Sequence, residues 1–306
     1  FNQAYKNVLF SSSELYKYGE DMEKLGNYVE ALEFYKEAGK LGNSEGLFSA
    51  GKFYQEGRNG VEVNYKLAQE YYEQAVNLKN AKAMNNLATM YENGEGVAKD
   101  IHKAIELYKK AAELGNVTAM KNLADKYCYG NDIAVDNAEA MKWYKKAADL
   151  GNDLAMIEIG KLYYFGQGIN QNYIEAMRWF VQAADLGNAD GMGNIGILYC
   201  NGQGVNKNYG EALKWFRKGA EKGEAWVIGN VGHMYHYGYG VKQDYVEAMK
   251  WYKKAADGNN AFSMNRIGIL YRDGLGVTVN IEEAKKWFKK AADLGNDEAK
   301  DNLNSL

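Results

Sequence analysis

The sequence predicts an all-α fold, a solenoid built from two-helix repeats. Residues of the same kind return every 36 positions, in four series that keep one register. Within each period the apolar residues follow helical spacing, and paired glycines separate one helix from the next. Because one helix pair cannot bury its apolar stripe alone, stacked repeats are the arrangement that buries it.

The four series consist of tyrosine, glycine, alanine and tryptophan. They occupy Tyr91, Tyr127, Tyr163, Tyr199, Tyr235 and Tyr271; Gly94, Gly130, Gly166, Gly202, Gly238 and Gly274; Ala104, Ala140, Ala176, Ala212, Ala248 and Ala284; and Trp143, Trp179, Trp215, Trp251 and Trp287. In the first helix of a repeat, Met84, Leu87, Ala88 and Tyr91 share one face. We expect the tryptophan series to lie in the core, between repeats.

The connectors carry the motif Gly-x-Gly-Val. Its first glycine suits the left-handed residue that ends a helix, and its second a tight turn. Capping boxes are predicted to open the second helices, at Asp136 with Glu139, Asn172 with Glu175, Asn208 with Glu211, Asp244 with Glu247 and Asn280 with Glu283. We expect local irregularity where the motif changes, at residues 57–61, 130–133 and 257–260.

Composition restricts the class of protein. Hydrophobic residues make up 46% and charged residues 25%, which is typical of a globular chain. The net charge of −3 is too small to attract nucleic acid or membrane in bulk, and no apolar run approaches the roughly 20 residues that span a bilayer. Proline is absent, so glycine and asparagine must end the helices. Cys128 and Cys200 lie two periods apart, and we expect free thiols.

These motifs resemble the Sel1-like repeat, a longer-looped relative of the tetratricopeptide repeat. The matching elements are first-helix Leu-Ala or Ile-Gly followed by Tyr, then Gly-x-Gly-Val, then Lys-Trp-Tyr-Lys-Lys-Ala-Ala. The resemblance divides the chain into a leading helix at 1–10, a tetratricopeptide-like repeat at 11–43, seven Sel1-like repeats at 44–296 and a closing helix at 297–306. The proline that usually follows Gly-x-Gly-Val in the family is missing here.

The resemblance implies a right-handed superhelix whose first helices line a concave groove. It also implies a scaffold or adaptor, mostly in bacteria, that binds a protein or peptide. We therefore expect no nucleic-acid or membrane partner and a chain that is monomeric on its own. Two alternatives stay open: a hydrolase acting on cell-wall-like substrates, an activity suggested for some relatives, and a self-assembling array. The compartment is also open, with the cytoplasm slightly favoured over a secreted location.

By resemblance, the groove is formed by first-helix positions that do not face the core. These positions are mostly short and polar in the early repeats, whereas from Asp153 onward they carry rings, aliphatic groups and arginines. The candidate partner-binding residues are Lys161, Tyr164, Phe165, Asn194, Trp226, Asn230, His233, His236, Tyr237, Arg266 and Arg272.

Two of these assignments have alternatives. Trp226 is the only tryptophan outside the series, which favours an interface anchor, but it could instead cover the edge of a neighbouring repeat. An asparagine recurs at Asn86, Asn122, Asn194 and Asn230. Such an amide suits the backbone of a bound peptide and a hydrogen bond between repeats equally well.

No catalytic constellation emerges from the sequence, and we expect neither enzyme activity nor a cofactor. His233 and His236 stand three residues apart on one helix, with Cys200 one repeat earlier. A transition metal needs three or four convergent ligands, so we expect no metal site. Paired lysines such as Lys145 and Lys146 recur on the second helices among acidic residues. That mixture favours a solvated face over an RNA or lipid surface.

Overall fold

Helices form the fold throughout the part of the chain that the computed structural model describes, residues 10–130 and 132–306. In chain order they are α1 Ser12–Lys24, α2 Tyr28–Lys40, α3 Ser44–Glu56, α4 Tyr65–Asn77, α5 Ala81–Asn93, α6 Ile101–Glu113, α7 Val117–Tyr129, α8 Asn137–Asp149, α9 Asp153–Phe165, α10 Tyr173–Asp185, α11 Ala189–Asn201, α12 Tyr209–Ala220, α13 Ala225–Tyr237, α14 Tyr245–Asp257, α15 Ala261–Asp273, α16 Ile281–Asp293 and α17 Asp297–Asn304. These described ranges contain no β-strand, and none of their helices is long and apolar enough to cross a bilayer. The predicted leading helix lies outside them except for Phe10.

Contacts divide the chain into two compact units, with the boundary in sequence between Leu150 and Gly151. The first unit contains α1–α8 and the second α9–α17. Within each unit a helix packs against the helices before and after it, and α17 packs against α16. In the second unit α13 also contacts α11 and α15, so the first helices of neighbouring repeats adjoin one another there. The predicted all-α architecture of paired helices is confirmed.

Asparagine and aspartate side chains begin the helices, as at Asn208, whose Oδ1 accepts a hydrogen bond from the Glu211 amide at 3.0 Å. The predicted capping boxes are nevertheless only half formed. Reciprocal bonds occur at Ser11 and Glu14. In the later repeats the glutamate instead pairs with a cation three residues on, as Glu211 does with Lys214 at 2.5 Å. Because the glutamate side chain forms this ion pair, it does not accept a hydrogen bond from the backbone N–H of the capping residue.

The connectors depend on positive backbone angles. Gly202 ends α11 in the left-handed conformation with φ of 67°, and Gly204 follows with φ of 69°. A Cβ on Gly204 would lie 2.8 Å from the Tyr173 carbonyl carbon, so this glycine also lets the connector pack against α10. At the predicted irregularity after Gly130, where the motif lacks its second glycine, Asp132 takes the positive angle instead, with φ of 68°.

Rings from the second helix of each repeat pack into small residues of the first helix. Phe216 is 1% exposed, and a Cβ added to Gly196 would lie 2.6 Å from its ring. A Cβ added to Gly268 would likewise lie 2.5 Å from the Phe288 ring. The small residues of the first helices are therefore required by ring packing. The same buried position is occupied by Tyr35, Tyr72, Tyr108, Tyr144, Phe180, Phe216, Tyr252 and Phe288.

The predicted core position of the tryptophan series is only partly confirmed, although Trp251 and Trp287 do pack against core clusters that include residues of the preceding repeat. Trp143 is buried, but Trp179, Trp215, Trp251 and Trp287 are only partly buried, and the residue that follows each of them is the core ring. For Trp215, Trp251 and Trp287 a lysine three residues later lies over the indole, as Lys218 does over Trp215 at 4.4 Å from the ring centroid. These partly buried indoles thus take part in cation–π contacts.

Neighbouring residues of α10 should therefore differ in their effect on stability. Phe180→Ala removes a core ring and is expected to lower the free energy of unfolding by about 3–5 kcal/mol. Trp179→Ala, at a partly exposed position, should lower it by about half as much or less. Urea unfolding followed by circular dichroism measures both, and equal losses would contradict the assignment of the core ring.

A second pair tests the helix ends. Lys79 has φ of 59° where the next repeat has Gly115, with φ of 88° and no atom within 4 Å of an added Cβ. Lys79→Gly should raise stability by about 1 kcal/mol, because it relieves the left-handed strain of a side chain. Gly115→Ala should lower stability by about the same amount, and thermal melts would measure both. A Gly115→Ala variant as stable as the parent would refute this explanation.

Candidate functional site

All of the predicted groove residues lie on the first helices of the second unit. Lys161, Tyr164 and Phe165 are on α9, Asn194 on α11, Trp226, Asn230, His233, His236 and Tyr237 on α13, and Arg266 and Arg272 on α15. Because α13 contacts both α11 and α15, the last three of these helices present their residues side by side. The surface formed by these residues is called the first-helix face below.

Trp226 makes contacts with the preceding repeat. Its indole Nε1 donates a hydrogen bond to Asp190 Oδ1 at 2.6 Å, and its ring lies so close to Gly193 that no Cβ fits there. This placement favours the alternative that Trp226 covers the edge of its neighbour. Trp226→Ala would remove those contacts, so on its own it cannot separate binding from stability.

The recurring asparagines have two different roles. Asn86 donates to the Tyr72 hydroxyl at 3.1 Å and Asn122 to Asn85 Oδ1 at 3.1 Å, so both link one repeat to the one before. Asn194 and Asn230 instead donate to main-chain carbonyls of their own helices, at 2.8 and 3.0 Å. The structural alternative therefore holds in the first unit.

The cations of the first-helix face have acidic neighbours within the chain. Lys161 pairs with Glu158 at 2.7 Å, and Arg266 with Glu298 at 3.0 Å while lying over the Phe262 ring. Arg272 forms a two-pronged contact with Asp273. A partner carboxylate would have to compete with these ion pairs. This competition reduces the binding free energy that each cation can contribute to an interface.

Aromatic side chains are concentrated at the C-terminal ends of α9 and α13. Tyr164 lies edge-on to Tyr173, with ring centroids 5.3 Å apart, and its hydroxyl donates a hydrogen bond to Gln203 Oε1 at 2.9 Å. The next residue, Phe165, is 60% exposed, and Tyr237 at the matching position of α13 is 42% exposed. Exposed rings at the matching position of two repeats, with one repeat between them, are candidate anchors for a partner.

A polar cluster lies between α13, α14 and α15. Among the described residues, buried side-chain atoms without a hydrogen-bond partner are concentrated there. They are His233 Nδ1, His236 Nδ1, Tyr252 Oη, Ser263 Oγ, Asn265 Nδ2 and Arg266 Nε, with Arg58 Nε elsewhere. In the first unit the equivalent tyrosine hydroxyls are bonded, as Tyr108 is to Glu92 at 2.8 Å. This cluster is the least satisfied polar region that the structure describes.

The imidazoles of this cluster are neutral near pH 7. Burial first, and then the charges of Arg266 and His236, lower the pKa of His233 to about 4. Burial and Arg266 also lower the pKa of His236 from its usual 6.5. A neutral imidazole presents one donor and one acceptor, so each ring can accept as well as give a hydrogen bond.

Comparison with known proteins accounts for the repeat pattern. The family model of the Sel1 repeat matches residues 10–43, 44–80, 81–116, 117–152, 153–188, 189–224, 229–260 and 261–296. The chain belongs to the Sel1 repeat family. The matches include 10–43, the segment that resembles a tetratricopeptide repeat. Repeats of this type are generally scaffolds for protein–protein interaction, and the family is typically non-enzymatic.

Relatives of this Sel1 repeat protein are found in bacteria and in humans. A protective antigen of uropathogenic Escherichia coli strains is 31% identical, with a TM-score of 0.76, over 90% of this chain and 59% of the antigen. A Sel1 repeat protein of Oxalobacter formigenes is 25% identical, with a TM-score of 0.78, over 96% and 87%. Human protein sel-1 homolog 2 is 39% identical over 84 residues, 27% of this chain and 12% of that protein. The chain thus spans only part of the first and the third.

The groups considered for chemistry do not form a reactive centre. Within the described residues no three His, Cys, Asp or Glu side chains come together as metal ligands. Cys128 and Cys200 are not joined in a disulfide, and burial raises the pKa of the Cys200 thiol to about 11. Because the thiolate is the nucleophile, a thiol with this pKa is almost unreactive at neutral pH.

Sequence reasoning missed a pocket beside Cys200. Its volume is about 250 Å³, and Tyr209 and Tyr239 line it together with His233 and Asn230 of the first-helix face. Tyr209 begins α12 and Tyr239 lies in the connector after α13, so neither stands at a first-helix position. A signal was present, because the residue between the connector glycines is Tyr239 here but Gln203 one repeat earlier.

The histidine environment predicts a pH dependence of stability. Between about pH 6.5 and 4 the unfolded chain binds a proton at residue 233 that the folded chain does not, so stability falls as the pH falls. His233→Gln should remove on the order of 2 kcal/mol of that loss, since partial exposure reduces the full effect. Urea unfolding at pH 7 and pH 4.5 measures it, with exposed His102→Gln as the control. If the free energy of unfolding of His233→Gln and that of the parent fell equally between pH 7 and pH 4.5, this explanation would be refuted.

Proposed function

We propose that this Sel1 repeat protein is a scaffold that binds an extended peptide or a protein surface along the first-helix face of its second unit. The observation that carries the proposal is the pair of exposed rings, Phe165 and Tyr237, at matching ends of α9 and α13. Large exposed rings are the usual anchors of a protein interface.

The contrast with the first unit supports the choice of the second. In the first unit several of the equivalent positions hold charged side chains that pair between or within repeats, although Tyr129, 54% exposed, matches the position of Phe165 and Tyr237. Lys82 bonds Glu45 at 3.0 Å, Lys121 bonds Asp125 at 2.6 Å, and Lys126 pairs with Glu92. Polar groups that already have partners add little to an interface.

His233 and Asn230, both partly buried, supply the polar part of the proposed interface. Asn230 lies one turn before His233 on α13, whereas His236 is buried. An extended peptide offers N–H and C=O groups that such side chains can pair with. The polar cluster thus favours a peptide backbone over a purely apolar ligand.

Substitution of the anchors should weaken binding without unfolding the chain. We expect Phe165→Ala and Tyr237→Ala each to reduce affinity about tenfold or more, because truncating an anchor commonly costs about 2 kcal/mol. Tyr164→Ala and Arg266→Ala should weaken binding less, because each already has a partner in the chain. The measurement is a fluorescence anisotropy titration with peptides selected from a random display library.

Ile174→Ala is the matched control. Ile174 is 55% exposed but lies on the second helix α10, away from the first-helix face. The proposal requires this variant to bind like the parent, and all variants to keep the parent's melting temperature within a few degrees. Unchanged affinity in both Phe165→Ala and Tyr237→Ala would refute it.

A further inference from the structure

The pocket beside Cys200 coincides with a missing ring. Cys200 stands 36 residues after Tyr164 and 36 before His236. In those flanking repeats the ring lies edge-on to the tyrosine that begins the following helix: Tyr164 to Tyr173 at 5.3 Å and 70°, and His236 to Tyr245 at 5.3 Å and 89°. Tyr209 is the corresponding tyrosine beside Cys200, and here no ring of its own repeat takes that place.

The space left by the small thiol side chain is large enough for a ring. The pocket measures about 250 Å³, slightly below the roughly 300–1,000 Å³ typical of sites for drug-sized ligands. Met234 and Phe216 line it and are each 1% exposed, so they form its deep end, whereas the exposed Lys207 and Asn201 lie at its mouth.

The lining suits an aromatic group. Tyr209 and Tyr239 are stacked with ring centroids 4.6 Å apart and an angle of 7°. The Cys200 thiol lies 3.9 Å from the Met234 sulfur, and sulfur atoms make favourable contacts with aromatic rings. Together these groups form an aromatic and sulfur-lined wall, which a flat, polarisable side chain fills better than an aliphatic chain.

The polar and charged lining distinguishes a phenol from a plain ring. Lys207 is the charged residue of the pocket, with its ammonium 4.7 Å from the Tyr209 ring centroid, and no carboxylate lines the pocket. The pocket therefore complements an electron-rich group that accepts hydrogen bonds. His233, which also lines it, has a buried Nδ1 without a partner, and Asn230 adds an amide.

We propose that this pocket binds a tyrosine side chain of a partner, whose ring occupies the place that Tyr164 and His236 occupy in the flanking repeats. The proposal rests on the proposed function in that the ring arrives on a peptide. The proposal goes beyond that function by naming the residue that the peptide must carry and the pocket where this residue binds.

The first test uses p-cresol, the side-chain analogue of tyrosine, and needs no peptide. Amide chemical shifts of the full chain are followed during titration with p-cresol and, separately, with toluene. We expect shifts around Cys200, Tyr209 and Tyr239, with p-cresol binding at least threefold more tightly than toluene. Absence of such shifts would overturn the proposal, and equal or tighter binding of toluene would overturn its phenol specificity.

Matched variants at one position provide the decisive comparison. Cys200→Phe restores a ring of the repeat's own, so p-cresol affinity should fall at least tenfold. Cys200→Ala leaves the pocket open and removes only the sulfur contact, so its p-cresol affinity should fall by no more than about threefold. Melting curves establish that both variants are folded. Unchanged p-cresol binding by Cys200→Phe would place the ligand elsewhere and overturn the proposal.

A protection assay covers the case in which Cys200→Phe does not fold. In a Cys128→Ser background, the slow alkylation of Cys200 by iodoacetamide at pH 9, where more of the thiol is ionised, is followed over hours with and without saturating p-cresol. We expect at least fivefold slower modification with p-cresol and no change with acetamide. Equal rates with and without p-cresol would overturn the proposal.

Peptides separate this inference from the proposed function. Peptides selected on the parent chain should carry a tyrosine whose change to alanine lowers affinity tenfold for the parent and for Cys200→Ala, but not for Cys200→Phe. Peptides that bind the first-helix face without such dependence would leave the proposed function standing and overturn the tyrosine pocket. Binding of p-cresol at Cys200 with no peptide binding would support the pocket and contradict the proposed function.

Discussion

The insertion of one ring from each second helix into a small residue of the first helix is the contact on which the rest of the structure depends. At Gly232 an added Cβ would lie 2.7 Å from the Tyr252 ring, which is 0% exposed. Because the helices can approach only where the side chain is small, this contact fixes their spacing and the register between them. The repeats that stack on this unit inherit the same spacing, since each buries its apolar stripe against its neighbours.

The identity of the inserted ring then decides what the first-helix face can do. Where the ring is tyrosine, its hydroxyl needs a partner, and in two repeats the residue 19 positions earlier supplies one: Thr89 meets Tyr108 at 3.0 Å, and Asp125 meets Tyr144 at 2.7 Å. Where the ring is phenylalanine, the same position has no hydroxyl to satisfy. Three repeats of the second unit have this form, with Lys161, Ile197 and Ile269 preceding Phe180, Phe216 and Phe288. The change from tyrosine to phenylalanine therefore frees first-helix positions of the second unit for other contacts.

The fold was predictable from the sequence because its determinants are local and repeat. Helix ends, connectors and helical faces recur with one period, and each repeat is independent evidence for the next. Which of two adjacent rings enters the core was not predictable. Trp215 and Phe216 are both large apolar rings, and only the packing of Phe216 against Gly196 distinguishes them. Trp226 was ambiguous for a related reason, because its fit against Gly193 joins residues of two repeats. The pocket at Cys200 left the weakest signal of all, a small side chain where the flanking repeats have rings.

Tyr252 is the exception that links this packing to binding. It keeps the hydroxyl that its neighbours Phe216 and Phe288 lack, yet that hydroxyl is buried without a partner. The residues 19 and 16 positions earlier, which supply partners in the first unit, are here His233 and His236, and both have unpaired nitrogens. Each unpaired buried group lowers stability by about 1–3 kcal/mol, and in a stacked array that loss falls on the repeats that contain it. Regions of low local stability are those from which binding elements are commonly drawn. The polar cluster and the pocket at Cys200 share His233, so a ligand that reaches that imidazole acts on the least satisfied part of the second unit.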